Sequence, residues 1–315
     1  MADSSLDSGA SAKSRGKLAR LWFHARRNYW GYVFVSPWVL LYLVFGIYPL
    51  VFSFYLTFFQ YSFVSPENYV FVGIGNWLRG ISDPLFWKSV LNIFYNQSIF
   101  IILKNSLGLV AALLLMRATR LGRVFRTIYF MPVVTSVVVL MVIGNYLTSP
   151  TGPIQSFLVD WGLLENPVFW KTSRWLPMPI IALINTWKWF GISTIILLAG
   201  LMAIDNRFYD AASIDGASAW QKFRHITLPL LQPQLFFLLV VDLLNGLQMF
   251  TEVFTIGFDV YGGHDNQALT PVLYLYGQAF DQSNIGYASA LGLLLAAIIA
   301  ILTVIQFRLL PQERT

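Results

Sequence analysis

Six stretches of this chain are too apolar to face water and long enough to cross a bilayer. They run over 31–59, 89–116, 127–147, 179–204, 229–256 and 284–307. A helix that crosses the hydrocarbon needs about 20 mostly apolar residues. The stretches supply them with few interruptions by charge: Lys104 in the second, Lys188 in the fourth, Asp242 and Glu252 in the fifth. None shows the roughly ten-residue alternation of a membrane β-barrel strand. The expected fold is therefore an all-α polytopic membrane protein with six transmembrane helices. Only 11% of residues are charged, against about 25% in soluble domains, which excludes a water-soluble globule.

Lysine and arginine fix the expected orientation, because they concentrate on the cytoplasmic side. Lys13, Arg15, Lys17, Arg20, Arg26 and Arg27 precede the first stretch, and 117–126 carries four arginines. Arg207, Lys222 and Arg224 follow the fourth stretch, and Arg308 and Arg314 close the chain. The opposite loops hold only Arg79, Lys88, Lys171 and Arg174. Both termini are thus expected in the cytoplasm. Residues 1–30 form a basic tail without the short apolar core of a cleaved signal, 31–308 the membrane domain, and 309–315 a short C-terminal tail. The chain has no cysteine, which excludes thiolate chemistry. The net charge of +6 belongs to this inside bias, and nucleic acid is not an expected partner.

Two loops on the outer side, around 61–89 and 149–178, are long and rich in Trp, Phe and Pro. They suit short interfacial helices with an aromatic belt, and also a docking surface for an extracytoplasmic partner.

The cytoplasmic stretch "YDAASIDGASAWQKFRHITLPLLQP", 209–233, breaks the apolar pattern. Asp205 or Asn206 can cap a short helix, with Phe208, Ala211 and Ala212 on one face. Asp215 and Gly216 make a turn, and Ser218 can cap a second helix with Trp220, Phe223 and Ile226 at three-residue spacing. Pro229 is expected to end this unit and begin the fifth span. On pattern alone, a plain connection lying on the membrane serves as well as a docking surface.

The segment resembles the "EAA" loop of membrane subunits in binding-protein-dependent ABC importers, E-A-A-x-x-D-G-A followed by Phe and I-x-L-P. The matching residues are Asp210, Ala211, Ala212, Asp215, Gly216, Ala217, Phe223, Ile226, Leu228 and Pro229. Asp replaces the leading Glu. The pieces "FVGIGNWLRGISDPLFWKSVLN", "FRTIYFMPVV" and "GYASALGLLLAAIIAILTVIQFRLL" are similar to the carbohydrate-importer branch, the maltose-type and multiple-sugar-type permeases. The resemblance implies a type I ABC importer permease architecture with a coupling loop over 205–229. It implies a second, unlike permease subunit, two cytoplasmic ATPases that use ATP and Mg, and an extracytoplasmic sugar-binding protein. It further implies a bacterial or archaeal cytoplasmic membrane, with no cofactor bound by this chain.

Ionisable groups at membrane depth are costly and point to function. At 100° per residue, Asp242, Asn245, Gln248 and Glu252 share about a 120° arc of a continuous fifth span. One reading is structural: Lys188 or Lys104 neutralises Asp242 and pins two helices together. The other is a hydrated pathway whose amides exchange hydrogen bonds with sugar hydroxyls, with Trp187, Trp189 or Phe250 covering the apolar ring face. The resemblance carries sugar-facing roles to Asn185, Lys188 and Trp189 in "INTWKWFG", and to Asn245 and Gln248 in "NGLQMF". An ion-coupled secondary transporter using Lys188, Asp242 and Glu252 is the competing function. The sequence has no phosphate loop, no H-E-x-x-H and no G-x-S-x-G elbow, and His24, His225 and His264 are scattered. Neither a catalytic nor a metal site is expected.

Overall fold

The computed structural model describes residues 29–309 except 63, 66, 68 and 118–121. The basic tail and the C-terminal tail beyond 309 therefore lie outside the described residues. The chain divides into two compact units, 1–55 and 56–315.

The first unit carries one apolar helical run of 28 residues, Tyr29–Leu56. It consists of α1 (Tyr29–Tyr42), a π-helical turn (Leu43–Ile47) and α2 (Tyr48–Leu56). Proline dictates its irregularities. Pro37 has no N–H to offer the Val33 carbonyl, and the Ser36 hydroxyl donates to that oxygen instead, at 2.9 Å. Before Pro49 the turn widens, and the Tyr48 N–H reaches back to the Leu43 carbonyl.

The second unit opens on a two-stranded antiparallel hairpin, β1 (Phe59–Gln60) with β2 (Val70–Phe71), pairing Phe59 with Phe71. A short helix α3 (Gly75–Ser82) leads into α4 (Pro84–Arg117). Then come α5 (Gly122–Val134), α6 (Val137–Thr148), α7 (Pro153–Asp160) and α8 (Pro177–Ala203). Two short helices, α9 (Asn206–Ile214) and α10 (Ala219–Lys222), continue through a π-helical turn (Phe223–Thr227) into α11 (Leu228–Leu230). The chain ends with α12 (Gln232–Gly246), α13 (Thr251–Ile256), α14 (Pro271–Tyr276) with a π-helical turn over Gly277–Asp281, and α15 (Ile285–Leu309). Five helical runs among the described residues are long and apolar enough to cross a membrane, six when the bent pair 219–246 counts as one span.

Helices α4 and α8 form the spine. Gly108 of α4 faces Ser193 of α8 so closely that a β-carbon there would lie 2.6 Å from the Ser193 Cβ. Phe86, Ile93, Met141, Met178, Ile181 and Leu291 build the larger apolar core at one end. Ala112, Leu197, Leu201, Leu231 and Leu238 build a smaller one nearer the α9–α11 segment.

Two expected spans are not continuous helices. The third breaks at Thr135–Ser136, between α5 and α6, after Pro132 has removed a helix donor. In the fifth, the bend falls at Leu231 rather than at Pro229: the helix of 219–230 meets α12 at 59°. Pro233 occupies the first turn of α12, and Pro229 sits beyond a π-helical turn that hands the Leu228 N–H to the Phe223 carbonyl. The fifth span breaks again after Gly246, before α13.

Each break exposes carbonyls that no lipid can satisfy. At the first, the Lys188 ammonium from α8 donates to Pro132, Val133 and Thr135 carbonyls, the first two at 3.4 and 3.1 Å. A cation suits the negative end of α5. Gly191, one turn along α8, makes room for this approach, since a β-carbon there would come 2.2 Å from the Tyr129 carbonyl oxygen. At the end of α13 the Lys171 ammonium donates to the Ile256 carbonyl at 2.7 Å, and burial pushes its pKa below the ordinary value.

Asp83 ties the start of α4 to two later helices. Its Oδ1 accepts the Leu85 N–H at 2.8 Å, while Oδ2 accepts the hydroxyls of Tyr274, at 2.6 Å, and Tyr287. Burial alone would raise its pKa, but these hydrogen bonds outweigh it and hold the carboxyl below its usual value. A depressed folded pKa adds stability above the unfolded value of about 3.9, lost as pH falls through the folded value. Asp83→Asn should lower the unfolding midpoint near neutral pH, read by tryptophan fluorescence. It should also flatten the loss of stability between about pH 5 and pH 3.

Candidate functional site

The 205–230 segment is built by caps. The Asp205 side chain accepts the Arg207 N–H at 2.9 Å and starts α9. At its end the Ala217 N–H bonds the Ala212 carbonyl at 2.9 Å and the Gly216 N–H bonds Ser213 at 3.1 Å, the two bonds of a Schellman cap. Gly216 stands at φ +73°, where a side chain is strained. Ser218 and Gln221 then form a reciprocal capping box that starts α10. The A-A-x-x-D-G-A spacing is thus the spacing of one helix stop and the next helix start.

Bonds between the helices fix their angle. The Tyr209 and Thr227 hydroxyls meet at 2.9 Å, and the Lys222 ammonium donates to the Ser213 hydroxyl at 2.6 Å. Phe208, Ile214 and Trp220 remain exposed at 54%, 87% and 65%, an apolar patch on rigid helices. Asp210, Ala211, Asp215, Leu228 and Pro229 are exposed as well, Ala212 and Phe223 half-buried.

The second part of the site is a cavity of about 430 Å³ between α4, α8 and α12. Its polar lining comes from Gln97, Lys104, Asn185, Asp242, Asn245 and Glu252. Phe100, Trp189 and Phe237 supply aromatic walls. Six of these nine side chains belong to no sequence motif for binding. They meet because α4 and α8 pack along their length and α12 crosses both.

One ion pair organises the cavity floor. The Lys104 ammonium and the Asp242 carboxylate are in contact, both almost wholly buried. Asn105 donates to the other Asp242 oxygen at 3.3 Å, and its own carbonyl accepts the Ser193 hydroxyl at 2.9 Å. Three helices are joined by this chain of bonds. Of the two partners the sequence offered for Asp242, Lys104 is the one the fold selects, while Lys188 donates to the α5 carbonyls and lies beside the cavity-lining Trp189 ring rather than on Asp242.

The expected polar stripe is also rearranged. Asp242 and Asn245 lie on α12, Gln248 in the break, and Glu252 on α13. The amides of Asn245 and Gln248 fold back to donate to Val241 and Leu244 carbonyls, each at 2.9 Å. Asn245 lines the cavity and Gln248 does not. The Glu252 carboxylate lies within electrostatic reach of Lys188 and the Asn185 side chain. Trp189 lines the cavity, whereas Phe250 stacks on Phe254 and Tyr276. Lys188, Asp242 and Glu252 do not form the single cluster that an ion-coupled relay requires. Among the described residues, no group of three His, Asp or Glu side chains could hold a metal ion.

Gln97 was not singled out from the sequence. The signal is visible in retrospect as Asn96-Gln97, two amides side by side within an apolar run. The Asn96 amide donates to the Met178 backbone carbonyl at 2.8 Å, and the Gln97 amide donates to the Asn96 side-chain oxygen at 3.1 Å. Gly246 admits the Gln97 amide, which would lie 2.1 Å from a β-carbon there.

A helical membrane protein with an interrupted bundle, a capped pair of exposed short helices and a cavity of mixed polar and apolar lining among three of its helices has the architecture of a transporter permease. The match of residues 104–315 to the model of the binding-protein-dependent transport system inner membrane component family makes the assignment definite: the chain belongs to that family. The arabinooligosaccharides transport system permease protein AraP of Halalkalibacterium halodurans is 31% identical over 88% of this chain and 86% of its own. The lactose transport system permease protein LacF of Rhizobium radiobacter is 31% identical over 88% of this chain and 92% of its own. The fold is similar to that of a chain of a bacterial ABC transporter involved in the import of the acidic polysaccharide alginate. That likeness has a TM-score of 0.76 at 21% identity, over 92% of this chain and 97% of the other.

Removing one partner of a buried ion pair leaves an uncompensated charge and costs about 3–5 kcal/mol, while removing both is much milder. Lys104→Met and Asp242→Leu should each sharply reduce the yield of monodisperse protein in detergent. The double variant should recover most of it, which size-exclusion chromatography reads directly. Lys188→Met should lower the unfolding midpoint by stripping the α5 carbonyls of their donor.

Proposed function

We propose that the chain is the membrane subunit of an ATP-driven importer that carries an oligosaccharide across the cytoplasmic membrane of a bacterium or archaeon. The sugar class follows the relatives, whose names specify arabinooligosaccharide and lactose transport. Both termini and the α9–α11 segment face the cytoplasm in this reading, on the side that holds fifteen of the chain's 21 Lys and Arg residues. A second, unlike permease completes the translocation path, and an extracytoplasmic sugar-binding protein delivers the substrate. Two ATPase subunits bind ATP and Mg and receive the exposed patch of Phe208, Ile214 and Trp220, beside Asp210, Ala211 and Ala212.

One observation supports the coupling most directly. The helix that carries Trp220 and Phe223 continues through Leu230 and is joined at 59° to α12, which carries Asp242 and Asn245. A displacement of the docked helices is transmitted along hydrogen-bonded backbone to the cavity wall, without a flexible linker. Closing of the ATPases then moves the cavity between inward and outward access, a two-state shift of packed helices.

The test separates docking from the pathway. Gly216→Val strains the turn between the two short helices, and Phe223→Asp places charge at the docked face. Both should reduce co-purified ATPase while leaving the permease in the membrane. Asn245→Leu with Gln248→Leu should leave ATPase co-purification unchanged and lower uptake of the oligosaccharide. Uptake that survives at normal protein level removes these amides from the pathway. Transport by this chain alone in liposomes refutes the importer reading.

A further inference from the structure

A further cavity, of about 650 Å³, lies where α4 and α8 end and the α9–α10 pair begins. Its two sides differ in chemistry. Val110, Leu113, Leu114 and Met116 of α4, with Leu201 of α8, make one wall wholly apolar. Asn206, Tyr209, Lys222 and Thr227 bring an amide, two hydroxyls and an ammonium to the other, beside Phe223. The cavity is therefore amphiphilic, apolar against the spans and polar against the exposed helix pair.

The cation on the polar side has spare capacity. The Tyr209 and Thr227 hydroxyls bond each other, but Lys222 spends only one of its three donors, on the Ser213 hydroxyl. Among the described residues no carboxylate lies within 4.0 Å of it. The apolar side continues beyond the cavity. Leu107, Val110 and Leu114 are 49%, 54% and 59% exposed, and at 100° per residue they fall within about 60° of one another. This stripe leads about 10 Å along α4 toward mid-span. Met116 stands 12 residues beyond Lys104, about 18 Å along the helix. With Lys104 near mid-span, that is level with the headgroups of a bilayer whose hydrocarbon is about 30 Å thick.

We infer that this cavity is a site for an anionic phospholipid of the cytoplasmic leaflet, its phosphate on Lys222 and Asn206 and an acyl chain along Leu114, Val110 and Leu107. It rests on the proposed cytoplasmic placement of the α9–α11 segment and adds a lipid to that coupling unit. Anionic headgroups concentrate at the inner surface and attract cations there. A zwitterionic lipid would suit the apolar wall but would bring its own cation beside Lys222. A docked ATPase does not claim the same surface, because Phe208, Ile214 and Trp220 do not line the cavity. A lipid gripped by α4 on one side and by the helix pair on the other sets the spacing between them. Coupling then depends on leaflet composition.

The experiment takes the full chain with its co-purifying ATPase subunits, stripped of lipid in detergent. It is titrated with dioleoylphosphatidylglycerol, dioleoylphosphatidylcholine or glycerol 3-phosphate, and native mass spectrometry counts the adducts. Phosphatidylglycerol should bind at least about fivefold more tightly than phosphatidylcholine, the effect of one cation beside an anionic headgroup. Lys222→Gln should abolish that preference and Lys222→Arg should keep it. Ser213→Ala removes the internal bond but no charge, and should keep it too. Leu114→Trp fills the exposed part of the apolar wall and should lower retention of both lipids by about fivefold. Monodisperse elution with ATPase bound is the folding control. Equal retention of the two lipids, or a preference that survives Lys222→Gln, overturns the anionic site. Retention unchanged by Leu114→Trp overturns the acyl track. Glycerol 3-phosphate bound as tightly as phosphatidylglycerol reveals an anion site without a lipid and overturns the occupant. Absence of ATPase from the wild-type preparation overturns the cytoplasmic coupling reading, and this site with it.

Discussion

The apolar surroundings of the spans leave no water for an unpaired backbone group, and the interruptions of this bundle are arranged around that fact. Where α5 stops inside the third span, three carbonyls converge on the Lys188 ammonium. Where α13 stops, Lys171 supplies the donor. Where proline removes a donor, a serine hydroxyl or a widened π-helical turn re-routes the bonding. Long helices alone would need none of this. The breaks matter because they let short segments change direction around a cavity without orphaned polar groups.

The cavity and the exposed helix pair depend on the same economy of bonds. Helix α12 leaves the 219–230 helix at 59° and reaches the cavity within three turns, where Asp242 is locked to α4 and, through Asn105, to α8. A rigid arm with one end exposed and the other anchored between two spine helices can transmit motion only as a unit. The caps at Ala212, Gly216 and Ser218 keep the exposed end equally stiff.

Much of this was legible in the sequence. Apolar length located the spans, because bilayer thickness fixes it, and the D-G turn with its flanking Asp205 and Ser218 located both caps, because capping is local. Spans three and five are not the continuous helices that their apolar length predicts. Pro132 and Gly246 mark the breaks, yet one proline or glycine inside an apolar run is compatible with an unbroken helix. The partner of Asp242 could not be chosen from depth alone, since Lys104 and Lys188 both lie near mid-span. Packing decided it, with Gly191 drawing Lys188 toward α5 and Gly108 bringing Asn105 beside Ser193. Gln97 was hidden for the same reason: its role comes from contacts with Asn96 and Gly246, the latter about 150 residues away.

The Lys104–Asp242 contact joins positions 138 residues apart, and synthesis separates them in time. At about 5–20 residues per second, the lysine waits on the order of ten seconds for its carboxylate to be made. During that interval it sits in an apolar segment at a cost of about 2.5–3.5 kcal/mol, tolerated because its 33-residue run is otherwise strongly hydrophobic. The half-made permease therefore displays an unneutralised cation within the bilayer until its fifth span arrives.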